Sequence, residues 1–229
     1  MLLRLVRGDA SRARFDGAFF AKDDRFWPIA SSARLFADRA DWPEIAEYNA
    51  LLSANAGLRF KEQLTPKSKS PPRRPEDLYD ARIANGEIPT RRGSWHDYLN
   101  ALVWATFPRS KAMLHARQHA VISRWLADAG AVTPEGTIDK LPNARTREHD
   151  ALALVDEGGI VVVGGRAIIF GHALYEGLVF GAPAMISRGV EISVTGAPDR
   201  ATTLAIADEG LAARIAQPLV PEQLPRYSL

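Results

Sequence analysis

Between Ser94 and Gly130 the chain has one straightforward local solution, two consecutive helices meeting at a proline. Ser94 is a favourable helix N-cap, and the segment from Trp95 to Trp104 is apolar except for His96, Asp97 and Asn100 in its first two turns. The first helix should end near Thr106. Pro108 lacks a backbone N–H and its ring collides with the preceding turn, so it cannot continue that helix. It suits the opening turn of a second one, which should last to about Asp128, with Gly130 past its end. A domain built around this pair must be helix-rich.

With 229 residues the chain can bury a substantial core, and a single domain spanning 1–229 is the expectation. There is no cysteine, which excludes disulfides, thiolate metal sites and cysteine nucleophiles. No run approaches the roughly 18 apolar residues of a membrane span. The N-terminal segment Met1–Asp9 meets charge too early for a signal peptide, so a cytoplasmic location with no membrane partner is expected. A net charge of only +2 means that any polyanion binding must come from a local patch.

The remaining pattern predicts an α+β fold with a small antiparallel sheet formed from residues 150–195 in the C-terminal half. Asp41 and Pro43 read as the start of a helix carrying Ile45, Tyr48, Leu51 and Leu52, ended by Asn55 and Gly57. Asp77–Ile83 reads as a short helix and residues 131–148 as a loop. Two apolar runs, Leu152–Val155 and Ile160–Val163, flank Asp156-Glu157-Gly158-Gly159 and suggest a β-hairpin. Val190–Val194 alternates like a strand, and Asp199 caps a helix over 199–215. Residues 65–75 read as an exposed basic, proline-rich loop, and 217–229 as an extended surface tail.

Several polar groups could carry chemistry. His96 and Asn100 share a helix face, although neither is needed to form the helix. Asp97 could orient His96, or it could serve only as the acid of a Ser94-x-x-Asp97 capping box. His115 and His119 stand one turn apart, as do His172 and Glu176. Either spacing can hold a metal ion from one face, and either also fits a polar shoulder or an internal pair. Asp156 and Glu157 read as turn acids. The tract 59–92 holds nine basic and five acidic residues, a net +4, with Lys67, Lys69, Arg73 and Arg74 at its centre. Phosphate-binding loops, dinucleotide fingerprints, nucleophile elbows and the His-Glu-x-x-His motif are all absent from the sequence.

Four blocks taken together resemble a bacterial family catalogued as domain of unknown function 3025. They are Trp95–Trp104, Phe107–Lys111, Asp150–Leu152 with Asp156–Gly158, and Phe170–Glu176, and their order and spacing agree over about residues 40–220. The resemblance supplies no activity. It implies that His96, Asp97, Asn100, His119, Asp156, Glu157, His172 and Glu176 recur. The chain departs from the family by a short Gly164-Gly165-Arg166 link where a helical insertion is usual. It also has His115 in place of asparagine, which favours His119 alone as a ligand.

These readings lead to a metal-assisted hydrolase acting on a small molecule. His96, Asp97, Asn100 and His172 are the candidate catalytic groups, and His119, Asp156 and Glu176 the candidate ligands of a divalent ion. One alternative is a nucleic-acid or polyanion-binding module using Lys67, Lys69, Arg73 and Arg74. Another is a protein-interaction domain built on the proline-rich loop and tail. Whatever the function, His96 and His172 should lie close together.

Overall fold

A computed structural model of the chain describes residues 14–52, 57–63, 74–139 and 145–229. In chain order its elements are α1 (Ala30–Ala33), α2 (Ile45–Tyr48), β1 (Arg59–Glu62), α3 (Tyr79–Ala84), β2 (Glu87–Thr90), α4 (Trp95–Thr106) and α5 (Pro108–Asp128). They continue with α6 (Arg147–Gly158), β3 (Gly159–Val163), β4 (Arg166–Ile169), α7 (His172–Val179), β5 (Ile186–Ile192), α8 (Arg200–Ile215) and β6 (Arg226–Ser228). Short 3₁₀ turns link several of them. The fold is α+β, as expected.

The central helix pair forms as the sequence predicts. Ser94 Oγ accepts from the Asp97 N–H at 3.3 Å, and Pro108 is the first residue of α5. Trp95, Tyr98, Leu99, Leu102, Val103 and Trp104 of α4 are all buried, which makes it the axis of the core. Phe19, Trp42 and Phe15 pack on Trp95 with ring centroids 5.0–5.6 Å apart along this cluster. The N-terminal turns of α5 are held from another helix. Asp208 of α8 accepts from the Ser110 N–H at 2.8 Å and the Arg109 N–H at 3.2 Å, and Ser110 Oγ donates to the Asp208 carbonyl at 2.7 Å. Asp199 caps α8 through the Thr202 N–H at 2.8 Å, again as predicted.

The sheet differs from its prediction. Its strand order is β4-β3-β5-β6, and β3 pairs with β5 in parallel, Val161 opposite Val190. Helix α7 carries the chain back along the sheet after β4, so β5 starts from the same end as β3. A second, two-stranded sheet pairs β1 with β2, also in parallel. The tail is not loose. Its last strand, β6, joins β5, and Leu219 and Leu224 are buried.

The predicted hairpin is displaced by one element. Leu152–Val155 belongs to α6, whose buried Ala151, Leu152 and Val155 follow helical spacing, while Leu154 is exposed. Thr146 caps this helix through the His149 N–H at 3.1 Å. The true hairpin joins β3 to β4, with Ile160 opposite Ile169. Its turn is Gly164-Gly165, both with positive φ, as a tight two-residue loop requires. The first predicted helix is also shorter. Asp41 does not cap it: its carboxylate accepts from the Trp42 N–H, Pro43 has no N–H, and the Glu44 N–H is taken by Glu47. Glu47 accepts from the Glu44 N–H at 2.8 Å, and α2 opens there. Asn55, its expected end, lies outside the described residues. No helix among the described residues is long and apolar enough to cross a membrane.

Candidate functional site

Three helix ends converge on one point. His96 is the second residue of α4, His172 the first of α7, and Asp156 and Glu157 close α6. Gly171 makes the junction of α6 and α7 possible. A Cβ there would lie 2.5 Å from the Glu157 carbonyl oxygen and 2.5 Å from the Gly159 nitrogen. The Phe170 and Gly171 N–H groups both donate to the Gly159 carbonyl, at 3.0 and 2.8 Å. His172 is therefore locked beside Glu157 by backbone contact rather than by side chains.

The Nε2 atoms of His96 and His172 are 2.9 Å apart, so the predicted neighbours meet. Glu157 Oε2 is 3.6 Å from His172 Nε2, and ligand-type atoms of His96, Glu157 and His172 all lie within 4.8 Å of one another. His96 Nδ1 lies 3.1 Å from Glu176 Oε2. A carboxylate only accepts, so Nδ1 carries a proton there. Behind His172, Asp156 Oδ1 stands 3.8 Å from Nδ1 and 2.6 Å from the Nζ of Lys111. The Lys111 side chain is 0% exposed. One side of the cluster is open, because the Glu157 side chain is 43% exposed and His96 is partly exposed, whereas His172 is buried.

Electrostatics separates the two imidazoles. Burial opposes charge on His96, but the bond to Glu176 and the nearby Glu157 and Asp97 carboxylates outweigh it and raise its pKa. Burial dominates at His172 and holds its pKa well below the ordinary value despite Asp156. For Asp156, burial is outweighed by Lys111, His172 and His115, and its carboxyl is held below the usual range. Glu157 moves the other way, raised by burial and by its neighbour Asp156.

The other predicted residues lie elsewhere. Asp97 is a loop anchor, and its carboxylate accepts from Arg91 Nε at 2.9 Å, Nη2 at 2.8 Å and the Arg91 N–H. Asn100 is buried one turn below His96 and donates to the Tyr79 hydroxyl at 3.3 Å, while its own Oδ1 has no partner. His119 is outside the three-ligand group. Lys111 and His115 point inward from α5, and eight residues of helix rotate position 119 by about 80° from Lys111 onto the flank. His115 is a core residue, 2.8 Å from Asp80 and stacked on Trp104 at 5.4 Å. Glu176 and Asp156 touch the imidazoles from behind rather than joining the converging set.

Glu157 and Lys111 also take part. Glu157 reads as a turn acid only if Leu152–Val155 is a strand; as part of α6 it faces His172. For Lys111 the sequence signal is its i, i+4 relation to His115, which places both on one face of α5. Of the basic loop, Lys67, Lys69 and Arg73 lie outside the described residues. Arg74 donates its N–H to Asp77 at 3.0 Å and is 3.7 Å from Glu76. Glu87 gathers Arg59, Lys61 and Arg82 within 3.3 Å, which neutralises part of the same tract.

Residues 65–167 match the family model described as Protein of unknown function (DUF3025), which supports the resemblance read from the sequence blocks. That span includes His96, Lys111, Asp156 and Glu157 and stops short of His172 and Glu176. No curated protein and no solved structure matches the chain.

Proposed function

We propose that the chain is a metal-dependent enzyme, with hydrolysis of a small molecule as its reaction and His96, His172 and Glu157 as the ligands of a divalent ion. The observation that carries this reading is the convergence of two imidazole Nε2 atoms and a carboxylate on a side open to solvent. Glu176 fixes the proton of His96 on Nδ1, which turns an Nε2 lone pair toward the cluster once any bridging proton is displaced. Two imidazole nitrogens around a tetrahedral zinc ion sit about 3.3 Å apart, given bonds of about 2.0–2.1 Å. The observed 2.9 Å needs only a few tenths of an ångström of opening.

Two histidines and one glutamate with a further position left free is a donor set of hydrolytic zinc sites. An ion held there polarises a carbonyl or phosphoryl oxygen and acidifies water. The surrounding residues would do the rest. Glu176 orients His96, and the exposed side of Glu157 leaves the site reachable from solvent.

The test is metal analysis and zinc calorimetry on purified chain beside His96→Ala and His172→Ala. The wild type is expected to hold about one ion per chain, and each variant to lose it while keeping its circular dichroism spectrum. A wild-type chain that takes up no zinc, manganese or other divalent ion would sink the reading.

A further inference from the structure

Lys111 is a fully buried cation away from the open side of the site, and its place calls for an explanation. It lies on α5 over the rings of Trp104 and Phe170, 5.6 and 6.0 Å from their centroids. Among the described residues the carboxylate it contacts is Asp156, at 2.6 Å. A buried ion pair is weak evidence of stabilisation, because removing both charges from water is costly and apolar replacements of similar size are often neutral or better. What the pair does supply is direction. Lys111 fixes Asp156 Oδ1, and that same oxygen faces Nδ1 of His172 at 3.8 Å. Nδ1 is buried and has no hydrogen-bond partner, so this carboxylate is the charge it faces.

We infer that Lys111 and Asp156 are positioning residues for His172, holding its ring as the Nδ1–H tautomer so that the Nε2 lone pair points at His96 and Glu157. The physical reason is simple. The Asp156 carboxylate on the Nδ1 side favours a proton there, and a neutral imidazole with its proton on Nδ1 has its lone pair on Nε2. The ammonium keeps the carboxylate aimed at the ring. The two histidines then have parallel arrangements, His96 backed by Glu176 and His172 backed by Asp156. The orientation of His172 does not depend on any ion being bound, although its usefulness rests on the metal reading above.

The test compares wild type with a Lys111→Met/Asp156→Leu double variant and with Asp156→Asn, all ¹⁵N-labelled and stripped of metal. Ring-nitrogen chemical shifts report the tautomer. Wild-type His172 is expected as Nδ1–H. The double variant should fold with a similar thermal midpoint, because the pair has been replaced by apolar volume, yet His172 should shift toward Nε2–H. Zinc affinity should fall about 10–100-fold, the usual effect of removing a carboxylate behind a ligating histidine. Retention of the Nδ1–H signature in the double variant would overturn the proposal, as would a wild-type His172 protonated on Nε2. If the double variant does not fold, Asp156→Asn decides by the same signature. If wild type takes up no zinc, the metal reading falls, and the tautomer comparison still decides this one.

Discussion

At the scale of single residues, Gly171 has the least freedom to change. Its backbone φ is ordinary, so the constraint is space. Any side chain would meet the backbone of Glu157 and Gly159, which cannot swing away as a flexible side chain could. Gly171→Ala should force α7 off the end of α6 and separate His172 from Glu157. The expected outcome is a loss of about 1–3 kcal/mol in denaturant unfolding, as for other overpacked positions, together with weaker zinc binding. An unchanged midpoint with unchanged binding would show that the junction adapts. His96 and His172 were legible as neighbours because each stands at a helix start beside recurring polar residues. Lys111 was not legible as a buried group, since lysine on a helix face ordinarily reads as solvated.

At the scale of elements, α5 shows how far a helix can depend on a distant partner. Its N-cap position is Phe107, which has no capping side chain, and Asp208 of α8 receives two of its first N–H groups instead. Asp208→Ala leaves those donors buried without an acceptor. It should cost about 1–3 kcal/mol, read as a lower urea midpoint with an unchanged slope. A helix whose own sequence capped it would show no such loss. Caps written locally, Ser94 for α4 and Asp199 for α8, could be read from sequence; the cap of α5 comes from a residue 98 positions away and could not. Helix α6 was lost for a different reason. Leu152, Leu154 and Val155 are too few to separate a period of 2 from one of 3.6. The displaced hairpin and the misplaced Glu157 both follow from that one ambiguity.

At the scale of the whole molecule, acid should weaken the fold. Asp16 bonded to Lys22, Asp23 to Arg25, Glu222 to Arg147 and Asp199 to the Thr202 backbone all have lowered pKa values, and Glu87 is held at about 2 by Lys61, Arg59 and Arg82. A carboxylate whose folded pKa is depressed contributes stability above its unfolded pKa and loses it as pH falls through the folded value. These five groups act in the same direction. Thermal midpoints followed by circular dichroism should hold near neutrality and fall between about pH 5 and about pH 2. A flat profile over that window would mean that the pairs do not persist in solution. The α+β class was visible from composition and helix spacing. The parallel strand pairs and the docked tail were not, because long-range partners decide them.

The junction at Gly171 also bears on when the site comes into being. Glu157 and His172 are separated by one short hairpin, whereas His96 is 76 positions from His172. Closing the longer loop costs about 1.4 kcal/mol more in chain entropy than closing a loop of roughly fifteen residues. The α6–hairpin–α7 segment can thus bring Glu157 and His172 together from local contacts, and α4 must dock before His96 reaches them. Assembly of the three side chains at this point is consequently tied to completion of the tertiary fold.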